Sequence, residues 1–426
     1  MPSDTAANQH CPRLWAEIDL DAIVHNYNVI RSRIGTGVRL MAMVKSNAYG
    51  HGAVPVARVL QHAGADCFGV ANVEEAVELR AAGIISPVVI TGPVTPCEVE
   101  TAVANQIQMT VTPPEILYAI EMEAVRQQRT VLLHLMIDIG MTRCGLDCED
   151  AIELAAHIKA APALELAGVA AHFPMAEDAQ ASRRHLGQFT AACNKLRELG
   201  LLTAARHAAN TVAIFNLPEA HFEMVRPGIG LYGLYPDECL RKHAPLKPAM
   251  TVRTQVSYVR SVPKGTPVGY AHTWRTKSDT VIATLPIGYA DGFRRTLSNR
   301  GRVIIAGQYA NVIGNVSMDM ITVDAGGITD VRTGMPATII GREGDAEITA
   351  EEHAGLCGTI PYEIVCLIGR RVGRTFKQNR RSVELENDTV QDLTPRMKTA
   401  KEILRETQSS LRKTGDRQPF SDKRFT

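Results

Sequence analysis

Val38-Arg39-Leu40-Met41-Ala42-Met43-Val44-Lys45 is a short, mostly apolar run that ends on a charge. A run of this length is too short for an ordinary globular helix and reads as a strand covered on both faces. Seven more follow: Cys67–Ala71, Pro87–Thr91, Ile107–Val111, Val131–Asp138, Leu164–His172, Ala204–Asn210 and Met224–Arg226. Between them lie longer segments of helical spacing, such as Asn72–Gly83 and Ala179–Gly200. In the second, Leu186, Phe189, Thr190, Cys193 and Leu196 recur on one face. Strand–helix alternation over about 200 residues fits a (β/α)8 barrel or a doubly wound parallel sheet. Eight repeats and the absence of GxGxxG favour the barrel.

Beyond residue 245 the texture changes. Val252–Arg260, Thr280–Pro286, Arg302–Ala306, Ala310–Gly314, Met320–Val323 and Pro336–Gly341 are short strand-like runs between Gly and Pro turns. The expected fold class is therefore α/β: an N-terminal (β/α)8 TIM-type barrel followed by a mostly-β C-terminal domain. The expected divisions are a flexible 1–12, a barrel over 13–245, a β domain over 246–376 and a charged extension over 377–426. Ala16–Leu20 reads as a strand that precedes the barrel and packs with the β domain. In the extension, Thr394 and Pro395 start a short helix that Gly415 stops.

The 426 residues are 45% hydrophobic and 21% charged, with a formal net charge of +1, which implies neither a nucleic-acid nor a membrane partner. Met1 to Cys11 lacks the basic start and apolar run of a secretory signal, and no stretch approaches the roughly 18 apolar residues of a membrane span. A cytoplasmic protein is expected. Of nine cysteines only Cys144 and Cys148 lie close together, without a second pair at zinc spacing. The expectation is reduced core thiols and no metal.

Barrel enzymes gather their catalytic groups at the C-terminal ends of the strands. Here those ends carry Lys45, Asp138 with Arg143, His172, Asn210 and Arg226, none of which core packing explains. Apolar neighbours would lower the pKa of Lys45 and favour the neutral amine that attacks a carbonyl. On strand position alone, a snorkelling surface lysine is the commoner outcome.

The residues that follow change that balance. Val44-Lys45-Ser46-Asn47-Ala48-Tyr49-Gly50-His51-Gly52 closely resembles the signature by which alanine racemases hold pyridoxal 5′-phosphate (PLP) on a lysine. The resemblance runs from about residue 14 to 376. It takes in Trp15–Leu20, the loop Asp138–Gly145, Gly168–Phe173, His207–Thr211 and Val225–Gly233. In the second domain it takes in Val268–Tyr270, Ile287–Gly292, Ser317–Asp319 and Pro361–Glu363.

Membership of that family implies interconversion of L- and D-alanine by two bases, for peptidoglycan supply or D-alanine catabolism. Lys45 would take the proton from the D-isomer and Tyr270 from the L-isomer. A free tyrosine titrates near ~10, so Tyr270 would need help from His172 and Arg226. Arg226 would face the pyridine nitrogen; being protonated to above ~12, it would keep that nitrogen bare and weaken the electron sink. That suppresses decarboxylation and transamination. His207 is placed to orient it, and His172 would stack on the ring. Tyr49, Thr211, Tyr362 and the amides of Gly228 and Ile229 would hold the phosphate, Asn210 the ring, and Arg143 with the Met318 amide the substrate carboxylate. Tyr270 and Met318 would reach the partner chain, giving a homodimer with shared sites.

The match falters in places. Met136 stands where many members carry a lysine that becomes carbamylated and props the substrate arginine. Ile139 and Thr142 depart from the usual Asp-Thr-Gly-Met-Gly-Arg run. Ser317 replaces a frequent cysteine, Thr211 a frequent serine, and Pro174-Met175 is unusual. The extension past residue 377 has no counterpart.

The alternatives are a racemase of serine or a broader small amino-acid set, a decarboxylase of the same barrel type, and a PLP-binding homeostasis protein. Decarboxylases of that type place a carboxylate at the pyridine nitrogen, against Arg226. Homeostasis proteins resemble the barrel alone, against Tyr270, Met318 and Tyr362.

Overall fold

The computed structural model describes residues 13–111, 114–379 and the backbone of 381–383. The expected flexible 1–12 and the expected tail helix lie outside the described residues.

Eight strands form one parallel sheet. They are β2 (Arg39–Met43), β3 (Cys67–Val70), β4 (Val88–Pro93), β5 (Gln108–Val111), β6 (Val131–Ile137), β7 (Leu164–Ala171), β8 (Ala205–His207) and β9 (Met224–Val225). The order is β8-β7-β6-β5-β4-β3-β2-β9. Seven fall within the apolar runs; β4 lies on Pro87–Thr91 but continues two residues further, to Pro93. The sheet curls nearly closed: β9 returns to β2 with Leu40 opposite Val225. The seam between β8 and β9 is bridged by the Arg226 amide, which donates to the Ala209 carbonyl at 2.8 Å. Leu40, Met41, Ala42 and Met43 of β2 are all buried, as a strand covered on both faces requires.

The helices pack outside and start where side chains can cap them. Asn72 accepts from the Glu75 amide to open Val73–Ala81, and Asp178 accepts from the Ala181 amide to open Ala179–Glu198. On the latter, Leu186, Phe189, Cys193 and Leu196 are buried, the face the spacing predicts.

The second layer is an eleven-stranded sheet. Third from one edge, β1 (Leu14–Asp19) lies antiparallel to β10 (Met250–Gln255) and parallel to Gly373–Gln378. Leu14, Ala16 and Ile18 point inward in strict alternation. β1 ends on Asp19, which caps the first barrel helix, Leu20–Arg33. One strand of the β sheet thus runs directly into the barrel. A hairpin between Gly373–Gln378 and Arg381–Val383 carries the sheet past residue 376.

Core thiols are only part of the cysteine picture: Cys67 and Cys193 are buried, whereas Cys239 and Cys366 are exposed. Length and apolarity place cysteines near the core, but exposure depends on which way each helix or loop turns them. No helix among the described residues is long and apolar enough to cross a membrane.

Candidate active site

After β2 the chain makes a turn that local sequence disfavours. Ser46, Asn47, Ala48 and Tyr49 have φ of 54, 52, 53 and 53°. Left-handed backbone costs a non-glycine residue about 1–2 kcal/mol, so the surroundings must impose it. Glu75 does so with both carboxylate oxygens, which accept from the Ser46 amide at 2.6 Å and the Ala71 amide at 2.8 Å. Asn47 accepts from the Ala53 amide at 2.7 Å. Gly50 lies so near the Val365 carbonyl that a Cβ there would stand 2.2 Å from its oxygen. Strain of this kind gathers at functional sites. The turn leaves Lys45 half-buried and tucks Tyr49 into the barrel mouth, its ring 5.0 Å from that of Tyr232 and 6.1 Å from that of Tyr362.

The charges that bear on Lys45 define the site. Burial lowers its pKa most; Arg143 and Arg226 lower it further, while Glu75 and Cys366 oppose them. His172, at the end of β7, falls to about 3, first through burial and then through Arg226, Arg143 and Lys45. Four residues from four separate strand ends therefore share one electrostatic neighbourhood. At neutral pH the His172 ring is uncharged.

Arg226 is buried, and its partners are all neutral. One terminal nitrogen donates to His207 Nδ1 at 2.7 Å and to the His207 carbonyl; the other donates to the carbonyls of Ala171 at 2.6 Å and Ala208 at 3.3 Å. Burial pulls its pKa down to about 10, so it remains protonated at neutral pH. Its Nε–H has no partner among the described residues.

On the other side of the mouth, Thr211 Oγ1 accepts from the amides of Gly228 at 3.0 Å and Gly230 at 3.4 Å. In the chain alone the Gly228 amide is thus tied to Thr211, which holds the glycine loop in place. Ile229 opens a 3-10 turn, where the first amides lack acceptors within the turn. At Gly228 a Cβ would stand 2.6 Å from the Tyr49 hydroxyl, so only glycine lets the phenol approach. Asn210 accepts from the Ala213 amide at 3.0 Å as the cap of helix Thr211–Asn216, leaving its NH2 group for any ligand.

Residues 18–236 match the family of alanine racemase N-terminal domains, and residues 249–376 that of alanine racemase C-terminal domains. The chain belongs to the alanine racemase family. An alanine racemase of Syntrophobacter fumaroxidans is 41% identical over 364 residues, 85% of this chain and 97% of its own length. Alanine racemase from Bacillus anthracis with bound L-Ala-P has a TM-score of 0.83 at 36% identity, covering 88% of this chain and 97% of that one. The enzyme from D-cycloserine-producing Streptomyces lavendulae has a TM-score of 0.82 at 38% identity, covering 86% and 97%.

Alanine racemases depend on PLP, and the residues here fit it. An aldehyde needs a neutral amine, and burial with cationic neighbours pushes Lys45 that way. A ring nitrogen needs a donor, and Arg226 holds an unused one. The cleft between Tyr49 and Gly228, which a Cβ would fill, is lined by hydroxyl and amide donors.

The departures from the family pattern have visible consequences. Met136 is buried and cannot form a carbamate. Arg143 is exposed and makes no ion pair among the described residues. Its loop is shaped instead by Asp138, which accepts from the amides of Gly140, Met141 and Thr142 at 2.9, 2.9 and 3.1 Å.

Two expected site residues are not gathered by the barrel. Tyr270 is 74% and Met318 53% exposed. Tyr270 is not among the groups that perturb Lys45, His172 or Arg226. Tyr362 does join, against Tyr49. Sequence reading overlooked Glu75, Cys366 and His134. The first two lie on helices remote in sequence and carry no local signal. His134 carried one: a lone imidazole inside an apolar strand.

Proposed function

We propose that this chain interconverts L-alanine and D-alanine, with Lys45 and Tyr270 serving opposite faces of the reacting carbon. The observation that carries the reading is the convergence of Lys45, His172, Arg226 and Arg143 at one barrel mouth, with Tyr270 left exposed elsewhere. When bound, PLP supplies the electron sink that makes the α-hydrogen acidic.

Lys45, held by the strained turn after β2, presents an amine whose pKa burial, Arg143 and Arg226 lower, which favours the neutral form that accepts a proton. Arg226 cannot accept a hydrogen bond, so it favours a bare ring nitrogen opposite it. By keeping that nitrogen bare, Arg226 would temper the electron sink, favouring rapid return of the proton over side reactions. His172, neutral and at the strand end, offers a flat ring to stack on. Tyr49, Thr211, Tyr362, Gly228 and Ile229 would hold the phosphate, with Thr211 acting partly by fixing the glycine loop. Asn210 would steady the ring through its free NH2 group. Arg143 and the Met318 amide would hold the substrate carboxylate; a guanidinium with no ion pair among the described residues suits that task. Tyr362, packed on Tyr49, narrows the space and favours a small side chain.

The barrel of 13–245 and the β domain of 246–376 would then act across two subunits, Tyr270 and Met318 of the partner completing each barrel mouth. A homodimer in the cytoplasm goes with this reading.

Purified protein with PLP should racemise alanine faster than serine or larger amino acids, followed by circular dichroism from each enantiomer. Binding of PLP without turnover would leave a binding module; preference for serine would move the substrate. Mixing chains also tests the sharing. Lys45→Ala and Tyr270→Ala dimers are each expected to be inactive. After subunit exchange, half of the dimers are mixed and have one intact site, restoring about a quarter of wild-type activity. No recovery from chains that do exchange would place both bases in one chain.

A further inference from the structure

A line of hydrogen bonds leads away from Arg226 through the barrel interior to its opposite mouth. Beyond the 2.7 Å contact of Arg226 with His207 Nδ1, His207 Nε2 lies 2.9 Å from His134 Nδ1. His134 Nε2 in turn lies 2.8 Å from Gln108 Oε1. The two imidazoles are buried and meet edge-on, with centroids 5.1 Å apart at 78°. They sit on β6 and β8, with β7 between, and meet only because Gly168 stands there without a side chain. A Cβ at Gly168 would lie 2.1 Å from His134 Nδ1 and 2.8 Å from His207 Nε2. Gln108 and His134 line a cavity of about 290 Å³ at the N-terminal ends of the strands, together with Arg39, Asp66 and Glu165.

The chemistry of the first link fixes every later one. A guanidinium has donors only, so His207 Nδ1 must be bare. A neutral His207 then carries its proton on Nε2 and donates to His134 Nδ1. His134 must in turn carry its proton on Nε2 and donate to Gln108. Protonating either ring a second time would set two N–H groups face to face. Burial, together with Arg226 and Arg39, also opposes a second proton: His134 falls to about 3 and His207 lies well below the usual range.

We propose that His134 and Gln108 are positioning residues for Arg226, locking His207 in the one tautomer that can accept from the guanidinium and so leaving Nε–H free for the cofactor ring. Neither touches the site; both act through His207 from the far end of the barrel. The proposal rests on the reading of Arg226 as the residue facing that ring.

The test uses holoenzyme labelled with ¹⁵N-histidine. Long-range ¹⁵N–¹H spectra should show both rings neutral and protonated on Nε2 between pH 6 and 8. A proton on Nδ1 of either ring, or a charged ring, overturns the lock whatever the activity. Gln108→Leu, at the cavity wall, should let the His134 tautomers mix. It should also lower kcat about three- to tenfold with KM within about twofold, as slight misplacement of a guanidinium would. The visible absorbance of bound cofactor should shift. Gln108→Glu, which keeps an acceptor, should restore tautomer and absorbance. His134→Phe should cost more, about ten- to a hundredfold in kcat. If the two variants lower only the melting temperature, with kcat and absorbance unchanged, the residues are packing and the proposal fails. If wild-type protein does not racemise alanine, the functional reading falls, and the tautomer spectra still decide the lock.

Discussion

The barrel mouth and the β sheet treat their polar side chains in opposite ways. At the mouth Arg226, His207 and Thr211 are buried, and each hydrogen-bonds to its neighbours. A buried polar group costs free energy unless it is bonded, so this half of the site is set as the chain folds. In the β domain, Tyr270 and Met318 stand exposed on a turn and a bend, as do other apolar residues of that domain such as Tyr289, Met320 and Ile360. Nothing in one chain's own packing finishes them. On the proposed reading, folding prepares one half of the site and a partner subunit would supply the other.

The largest expected effect falls on the prepared half. Lys45→Ala should cut racemisation by about 10⁴-fold or more, since it removes both a proton carrier and the covalent anchor. It should also abolish the visible absorbance of lysine-bound cofactor. Retention of that absorbance would end the role of Lys45 and with it the contrast.

Tyr270→Phe, on the exposed half, should cost roughly 10²- to 10³-fold, with exchange of the α-hydrogen from L-alanine hurt more than from D-alanine. Equal loss from the two isomers, measured by isotope exchange, would break the division of labour between the regions. Gly228→Ala sharpens the preorganisation claim. Its methyl would meet the Tyr49 hydroxyl at 2.6 Å, so cofactor affinity should fall about tenfold. Overpacking of this kind should also lower unfolding free energy by about 1–3 kcal/mol. Unchanged affinity by titration would show that the cleft is loose.

The smallest effect concerns the strained turn. Ser46 is exposed at φ 54° with no side-chain partner among the described residues, so Ser46→Gly should raise unfolding free energy by about 1 kcal/mol in a urea titration. A loss instead would mean the turn is held by more than its surroundings.

Much of this organisation was legible in the chain. Each observed barrel strand coincides with one of the apolar runs, β4 alone outrunning its own by two residues, because alternation of strand and helix is a local pattern. Lys45, His172 and Arg226 stood out because a charge at the end of a buried strand has no packing reason. The left-handed turn was not legible: Ser46-Asn47-Ala48-Tyr49 contains no glycine, and positive φ there is imposed by Glu75 and Asn47. Nor was the engagement of the Gly228 amide by Thr211, or of Asn210 as a helix cap. A side chain's donors can be counted from sequence, but their partners depend on closure of the barrel. His134 was visible as an odd residue in β6, yet its meaning needed Gly168 on one neighbouring strand and His207 on the next.

By itself, then, the sequence determined the order of elements, the family and the residue types at each strand end, since periodicity and motif are written along the chain. Tertiary structure alone decided which of those residues meet, which amides are already occupied, and that Tyr270 is left facing outward. Contacts across a closed barrel depend on strand register and on the gap left by a missing side chain, and neither has a signature in any one segment.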